Sequence, residues 1–479
     1  MAAAHHHHAY NLEQKFEFTS KIRRVVFALM IVGAVLIGAG YLLAPDSAHE
    51  DSHASVNQAK TELNAVPVSD QHPEEHGATK DEHGTAHADE AHADEAHADE
   101  AHAGGHGHHA PDKNTRMLAN LLLASLYFLT IAMGAMFFIT IHRVGNAGWY
   151  VAVQRVVEAM TQYLPYAFVG FLLILPFLGN LFEWAIIPAG EDAIIDAKRA
   201  WLNEGSFIFR TILFFGIWIG TAILLRRLSI REDVEGHPVN NIKIFEQSTR
   251  ISAIFIILFA LSYSLFAIDW IKSLEPHWFS TIFGINVFAG SMVSAMVTLY
   301  LLILFLKSQG YLEFVNESHL HDIGKFTFGF SIFWAYTWVS QYMLIWYSNI
   351  PEEGIYYVKR YRIGDHEYLG YAAFFYLNII INFLFPFLWL MTRNAKRKLV
   401  TFLPIGIILL YGHWHDLFLM IMPGAVLDNW GVGLMELGFF TLFAGVFLFA
   451  VFNALQRANL VPLKHPYLEE SLHHTTGAV

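Results

Sequence analysis

The sequence predicts an all-α polytopic integral membrane protein of about ten transmembrane helices. Of its 479 residues, 54% are hydrophobic and only 15% are charged, against about 25% charged in ordinary soluble domains. Ten apolar runs are each long enough to cross about 30 Å of hydrocarbon as a helix. They far exceed the roughly ten-residue strands of an outer-membrane barrel, and a helix satisfies its backbone polar groups within one segment.

In chain order the runs are Val25–Leu43, Met117–Ile141, Tyr163–Ile187, Phe207–Leu225, Ile251–Ile271, Thr281–Leu306, Gly324–Ile350, Tyr368–Met391, Val400–Met422 and Trp430–Leu455. Basic loops stay on the cytoplasmic side. Placing the N-terminus inside puts 19 of the 30 Lys and Arg residues on that side, four of them between Arg393 and Lys398. The resulting organisation is a cytoplasmic N-terminus (1–24), a first transmembrane helix (25–43) and a periplasmic linker (44–116). Eight further helices (117–423), a tenth helix (424–456) and a cytoplasmic tail (457–479) follow. The setting this predicts is a bacterial inner membrane, with both termini cytoplasmic.

The charge is uneven. Residues 45–116 hold 16 acidic and 4 basic residues, which accounts for the whole net charge of −12. This segment carries 12 histidines and a five-residue repeat, AHADEAHADEAHADEAHA, over residues 86–103. It has too few large apolar residues to offset the entropy of ordering, so it reads as a disordered acidic spacer. Capture of zinc or copper by its histidines is the sharper alternative, although a five-residue period does not align ligands on one helix face. The four histidines His5 to His8 decide nothing. No basic nucleic-acid footprint exists. The absence of cysteine excludes disulfides, thiolate nucleophiles, Cys-ligated iron–sulfur clusters and thioether-attached haem in this chain.

Ionisable groups at membrane depth are costly and mark functional candidates. In the outer half these are Glu183, Arg210, Asp269, His413, His415, Asp416 and Glu436, with Glu275 and His277 just beyond a helix end. In the inner half they are His142, Arg155 and Glu158, while Ser340, Gln341, Tyr342, Asn378 and Asn382 give the middle its polarity. Spacing sorts them. His413 and Asp416 (i,i+3), Asn378 and Asn382 (i,i+4), and Arg155 and Glu158 (i,i+3) each share a helix face. His413 and His415 (i,i+2) do not, and no second mid-membrane histidine offers a bis-His haem site. Proton-path candidates are Glu158, Arg210, Asp269, His277, Gln341, His413, Asp416 and Glu436. The bland readings are an ion pair for Arg210, interhelical hydrogen bonding for the asparagines, and an aromatic belt for Trp184, Trp201, Trp270, Trp278, Trp346 and Trp430.

Two stretches have specific wording. One is DWIKSLEPHWFSTIFG (269–284) leading into INVFAGS (285–291); the other is FWAYTWVSQYMLIWYSNIPEE (333–353). Together they resemble the F subunit of bacterial alternative complex III, a quinol:cytochrome c oxidoreductase, over roughly residues 117–460. That subunit is similar to the membrane anchors of polysulfide reductase. The resemblance implies two four-helix bundles (117–274 and 275–423) with peripheral first and last helices, and no haem or iron–sulfur cluster in this chain. It implies partners: a paralogous quinol-oxidising C subunit, a periplasmic iron–sulfur subunit, c-type cytochrome subunits carrying the haems, small membrane subunits, lipid, and in some assemblies a terminal oxidase. The substrate of the complex would be menaquinol or ubiquinol. By similarity to the C subunit, Asp269, His277, Trp278, Ser280, Thr281 and Phe283 occupy the place of a quinol-site stretch, here with His-Trp in place of Trp-His.

The function expected is therefore a membrane subunit that scaffolds a quinol-oxidising complex and conducts protons. The alternatives are a quinone-binding redox subunit built on Asp269, His277, Trp278 and Phe283, and a secondary cation or solute transporter. Transporters place binding groups at the midplane of repeated halves, and no such repetition is evident.

Overall fold

In a computed structural model, residues 11–44, 112–234, 238–361, 370–427 and 429–476 are described. The His-rich repeats, His5–His8 and most of the acidic linker lie outside them. The long helices are α1 (Ser20–Leu43), α2 (Lys113–Val144), α3 (Gln154–Leu181), α4 (Glu204–Val234), α5 (Pro238–Trp270), α6 (Phe283–Ser308), α7 (Glu317–Ser348), α8 (Ala372–Trp389), α9 (Leu399–Ala425) and α10 (Leu434–Leu455). Nine of them are apolar enough to cross a membrane by length and composition. The remaining one, α7, spans 32 residues, and its Trp, Tyr, Ser and Gln side chains lower its hydropathy. Among the described residues there is no β-strand, only an isolated bridge between Lys15 and Asn459. The chain is an all-α polytopic membrane protein.

Helices α2 to α5 pack among themselves, as do α6 to α9, and α2 joins the two sets by packing on α6 and α9. This explains the burial pattern. The apolar stretch of α2 is 94% buried, whereas that of α1 is 11% buried. α10 lies on α2 and α3, and α1 lies on α10. Small residues allow that last contact, as in other close membrane-helix pairs. A Cβ at Gly33 would stand 2.4 Å from the Leu442 backbone nitrogen, and one at Gly438 would stand 2.6 Å from that of Ile37. α8 is irregular. Its α-helical turns give way to a π-helical segment at Ile380–Leu384, followed by Pro386. Such bulges frequently accompany functional positions.

Helices run past their apolar stretches where charges find partners. α3 begins at Gln154, nine residues before the apolar run at Tyr163, where Glu158 is paired with Arg155 and, more closely, with Arg143 of α2 and Arg226 of α4. At the same end of the bundle the C-terminal tail ties several helices together. The Leu460 amide donates to Gln14, the Leu463 amide to Asp233, and the Asn316 amide side chain to the His474 carbonyl.

His465 lies in this tail, buried, with its Nδ1 accepting from the Tyr467 amide at 3.2 Å. Burial, reinforced by the Arg143 and Arg155 charges, pulls its pKa from 6.5 down to about 3. Below pH 6.5 the unfolded chain therefore binds a proton that the folded chain refuses, and stability falls as the pH drops toward 3. One such group gives a slope of about 1.4 kcal/mol per pH unit. The thermal midpoint in detergent should thus fall less steeply between pH 6 and 4 in His465→Gln than in the native protein. Parallel profiles would refute this.

Candidate functional site

Most ionisable residues at depth fall in three polar regions, while His142 and His415 bond the Phe138 and Phe374 carbonyls. The first is at the end of the bundle that carries Lys15 and Asn459. Glu158 on α3 is buried and accepts from Gln154 at 2.8 Å. Arg143 of α2 reaches it at 3.1 Å, Arg226 of α4 at 2.9 Å, and Arg155 at 3.8 Å. Arg155 also binds Asp233 at 3.0 Å, and Arg226 donates to the Ala454 carbonyl of α10. Three helices thus meet on one carboxylate, and Arg226 links a fourth, α10, to it. Desolvated charges persist only when paired and hydrogen-bonded, so this cluster reads first as a structural clasp.

The second cluster is at the opposite end. Arg210 of α4 holds Asp269 of α5 through both carboxylate oxygens, at 2.7 and 3.0 Å, and the Trp201 indole donates to the same group at 2.8 Å. Fork-to-carboxylate pairing of this kind is strong and directional. Glu436 caps α10 by accepting from the Gly433 amide and binds Arg116 and Asn120, each at 2.9 Å. His277 is half exposed and contacts Asp192 at 2.6 Å. Desolvation of Asp192 is outweighed by hydrogen bonds from the Ile195 amide and His277, so its pKa lies below the ordinary carboxylate value.

The third cluster lies between α6, α7, α8 and α9. Asp416 of α9 is buried and accepts from the Trp334 indole at 2.9 Å and from the Asn378 amide at 2.8 Å. It has no ion-pair partner among the described residues. Asn378 in turn accepts from Asn382 at 2.7 Å, and Asn382 donates to the Gly412 carbonyl at 2.9 Å. Gly412 is required there, because a Cβ would sit 2.3 Å from the Asn382 Oδ1. His413, almost one turn from Asp416, makes no hydrogen bond through either ring nitrogen.

Asp416 borders two small cavities. One, of about 10 Å³, is shared with His413, Ser291, Ser294 and Thr130. The other, of about 30 Å³, lies toward the second cluster and is walled by Gln341, Tyr356, Arg360 and Phe283. Polar cavities of this size accommodate single waters. The larger one is closed by the short helix Pro351–Tyr361. Its Tyr356 stacks on Trp278 with centroids 3.7 Å apart, and its Arg360 binds Glu275 at 2.5 Å. Burial disfavours the Arg360 charge, but Glu275 beside it outweighs this and holds its pKa above the ordinary value.

A carboxylate held by neutral donors, beside an imidazole without a hydrogen-bond partner and two small cavities, is a group that can take up and release a proton. Of the eight proton-path candidates, the structure brings together Asp416, His413 and Gln341 around these cavities. Arg210 with Asp269, Glu436, His277 and Glu158 are placed in separate ion pairs. Among the described residues the four quinone-site candidates do not share a cleft. Phe283 lines the 30 Å³ cavity, Trp278 stacks on its lid, and Asp269 and His277 face other partners. That cavity is also far smaller than the ~150 Å³ that admits benzene.

Sequence reasoning did not assign Trp334, Arg360 or Arg226 to these clusters. They arrive from other helices, at separations of 82, 85 and 68 residues from the carboxylates they bind, and no local spacing announces them. Among the described residues no group of three His, Cys, Asp or Glu side chains is arranged to hold a metal ion. Comparison with protein-family models matches none of them to this sequence, and comparison with curated proteins likewise finds no match.

Proposed function

We propose that this chain is a membrane subunit of a quinol:electron-acceptor oxidoreductase of the alternative complex III type, without a redox metal of its own. Within that complex it holds the helices together and passes protons between Asp416 and one membrane face. Two things support the reading. The stretches 269–291 and 333–353 resemble the F subunit of that complex, and Asp416 sits beside His413 and two small cavities, accepting from the neutral donors Trp334 and Asn378. The single observation that carries the proton role is that buried carboxylate. Quinol oxidation releases protons with its electrons, so a complex of this kind needs protonatable groups and a route away from the reaction.

In this reading the partners are the quinol-oxidising paralogue, an iron–sulfur protein and c-type cytochromes, in a bacterial inner membrane with both termini cytoplasmic. Purification through this chain in mild detergent tests the assignment, by mass spectrometry and a reduced-minus-oxidised spectrum. Co-purification of a multihaem c-type cytochrome and a large iron–sulfur protein is the expected outcome. A lone, colourless protein would overturn it and favour a transporter.

A further inference from the structure

A cleft of about 580 Å³ separates α1 from the wall formed by α2, α6 and α9, with α10 at its side. Its size falls within the roughly 300–1,000 Å³ of binding pockets for small molecules. The lining is apolar along most of its length, through Phe128, Leu301, Phe305, Ala444 and Phe447. Polar groups gather at one end, where Thr19 precedes α1, Lys21 stands in its first turn and Gln309 follows α6. This is the end of the bundle that carries Lys15 and Asn459. Arg23 and Arg24 are exposed in the same turn of α1, and no carboxylate lines the cleft among the described residues.

From this geometry we infer that the cleft binds an anionic phospholipid, with an acyl chain between α1 and α6 and its phosphate beside Lys21. Three observations lead there. The apolar length lies within transmembrane helices, where acyl chains are the surrounding medium. The charge of its polar end matches an anionic headgroup, and basic residues at helix ends attract anionic lipids. Finally, α1 is held chiefly by α10, so a chain filling the cleft supplies the packing its inner face lacks. This site is independent of the proton role proposed above.

The test is native mass spectrometry of the full chain in mild detergent, titrated with phosphatidylglycerol or phosphatidylcholine. The native protein should retain phosphatidylglycerol in preference to phosphatidylcholine. Ala444→Phe fills the cleft from the α10 side and Leu301→Trp from the α6 wall, and each should lower retention roughly tenfold. Lys21→Glu should remove the preference for the anionic lipid without emptying the cleft. Equal retention by the native protein and both filling variants would overturn the inference. So would recovery of an isoprenoid quinone, instead of phospholipid, as the molecule those variants displace.

Discussion

Glu158→Gln is expected to destabilise the protein by ~3–5 kcal/mol, the usual cost of breaking a buried ion pair from one side. Glutamine preserves the volume and one acceptor. It removes the only charge that Arg143 and Arg226 contact within ion-pair distance among the described residues, at 3.1 and 2.9 Å. Arg155 keeps Asp233 at 3.0 Å, so the damage centres on the α2 and α4 arginines. The thermal midpoint in detergent should fall by many degrees, while Glu13→Gln, at an exposed position, should leave it unchanged. An unaltered midpoint in Glu158→Gln would show that the clasp contributes no net stability.

How far the sequence carried the fold is clearest at α3. Hydropathy placed its start at Tyr163, since charge ordinarily marks a membrane boundary. The helix nevertheless begins at Gln154, because arginines from α2 and α4 neutralise Glu158 from outside its own segment. Local spacing did expose the pairs within one helix. Arg155 meets Glu158, and Asn382 bonds Asn378. What spacing cannot show is which side chain a distant helix delivers. The candidacy of Asp269 illustrates this. Alone in the sequence it is an isolated acid near an outer boundary; in the fold Arg210 and Trp201 bind both its oxygens. Asp416, by contrast, receives only neutral donors. The difference between a clasp and a titratable site lies in partners 59 and 82 residues away.

The contrast between these two aspartates gives the second large effect. If the proposed proton role is correct, Asp416→Asn in the assembled complex should lower quinol-to-acceptor turnover at least about tenfold, a conservative share of the roughly 10²–10⁴ attributed to positioned proton-transfer groups. Its structural cost is smaller. One end of the asparagine amide must face a donor, Trp334 or Asn378, and losing one buried hydrogen bond costs about 1–3 kcal/mol, so the complex should still assemble. Asp269→Asn should behave in the opposite way. It leaves the Arg210 guanidinium without the charge it grips, so the yield of assembled complex should drop, while the complexes that do form turn over nearly normally. Measuring both variants side by side, with assembly scored by haem content per subunit, separates the roles. Native turnover in a fully assembled Asp416→Asn complex would remove Asp416 from the proton path. A well-assembled but slow Asp269→Asn complex would transfer that role to the outer ion pair.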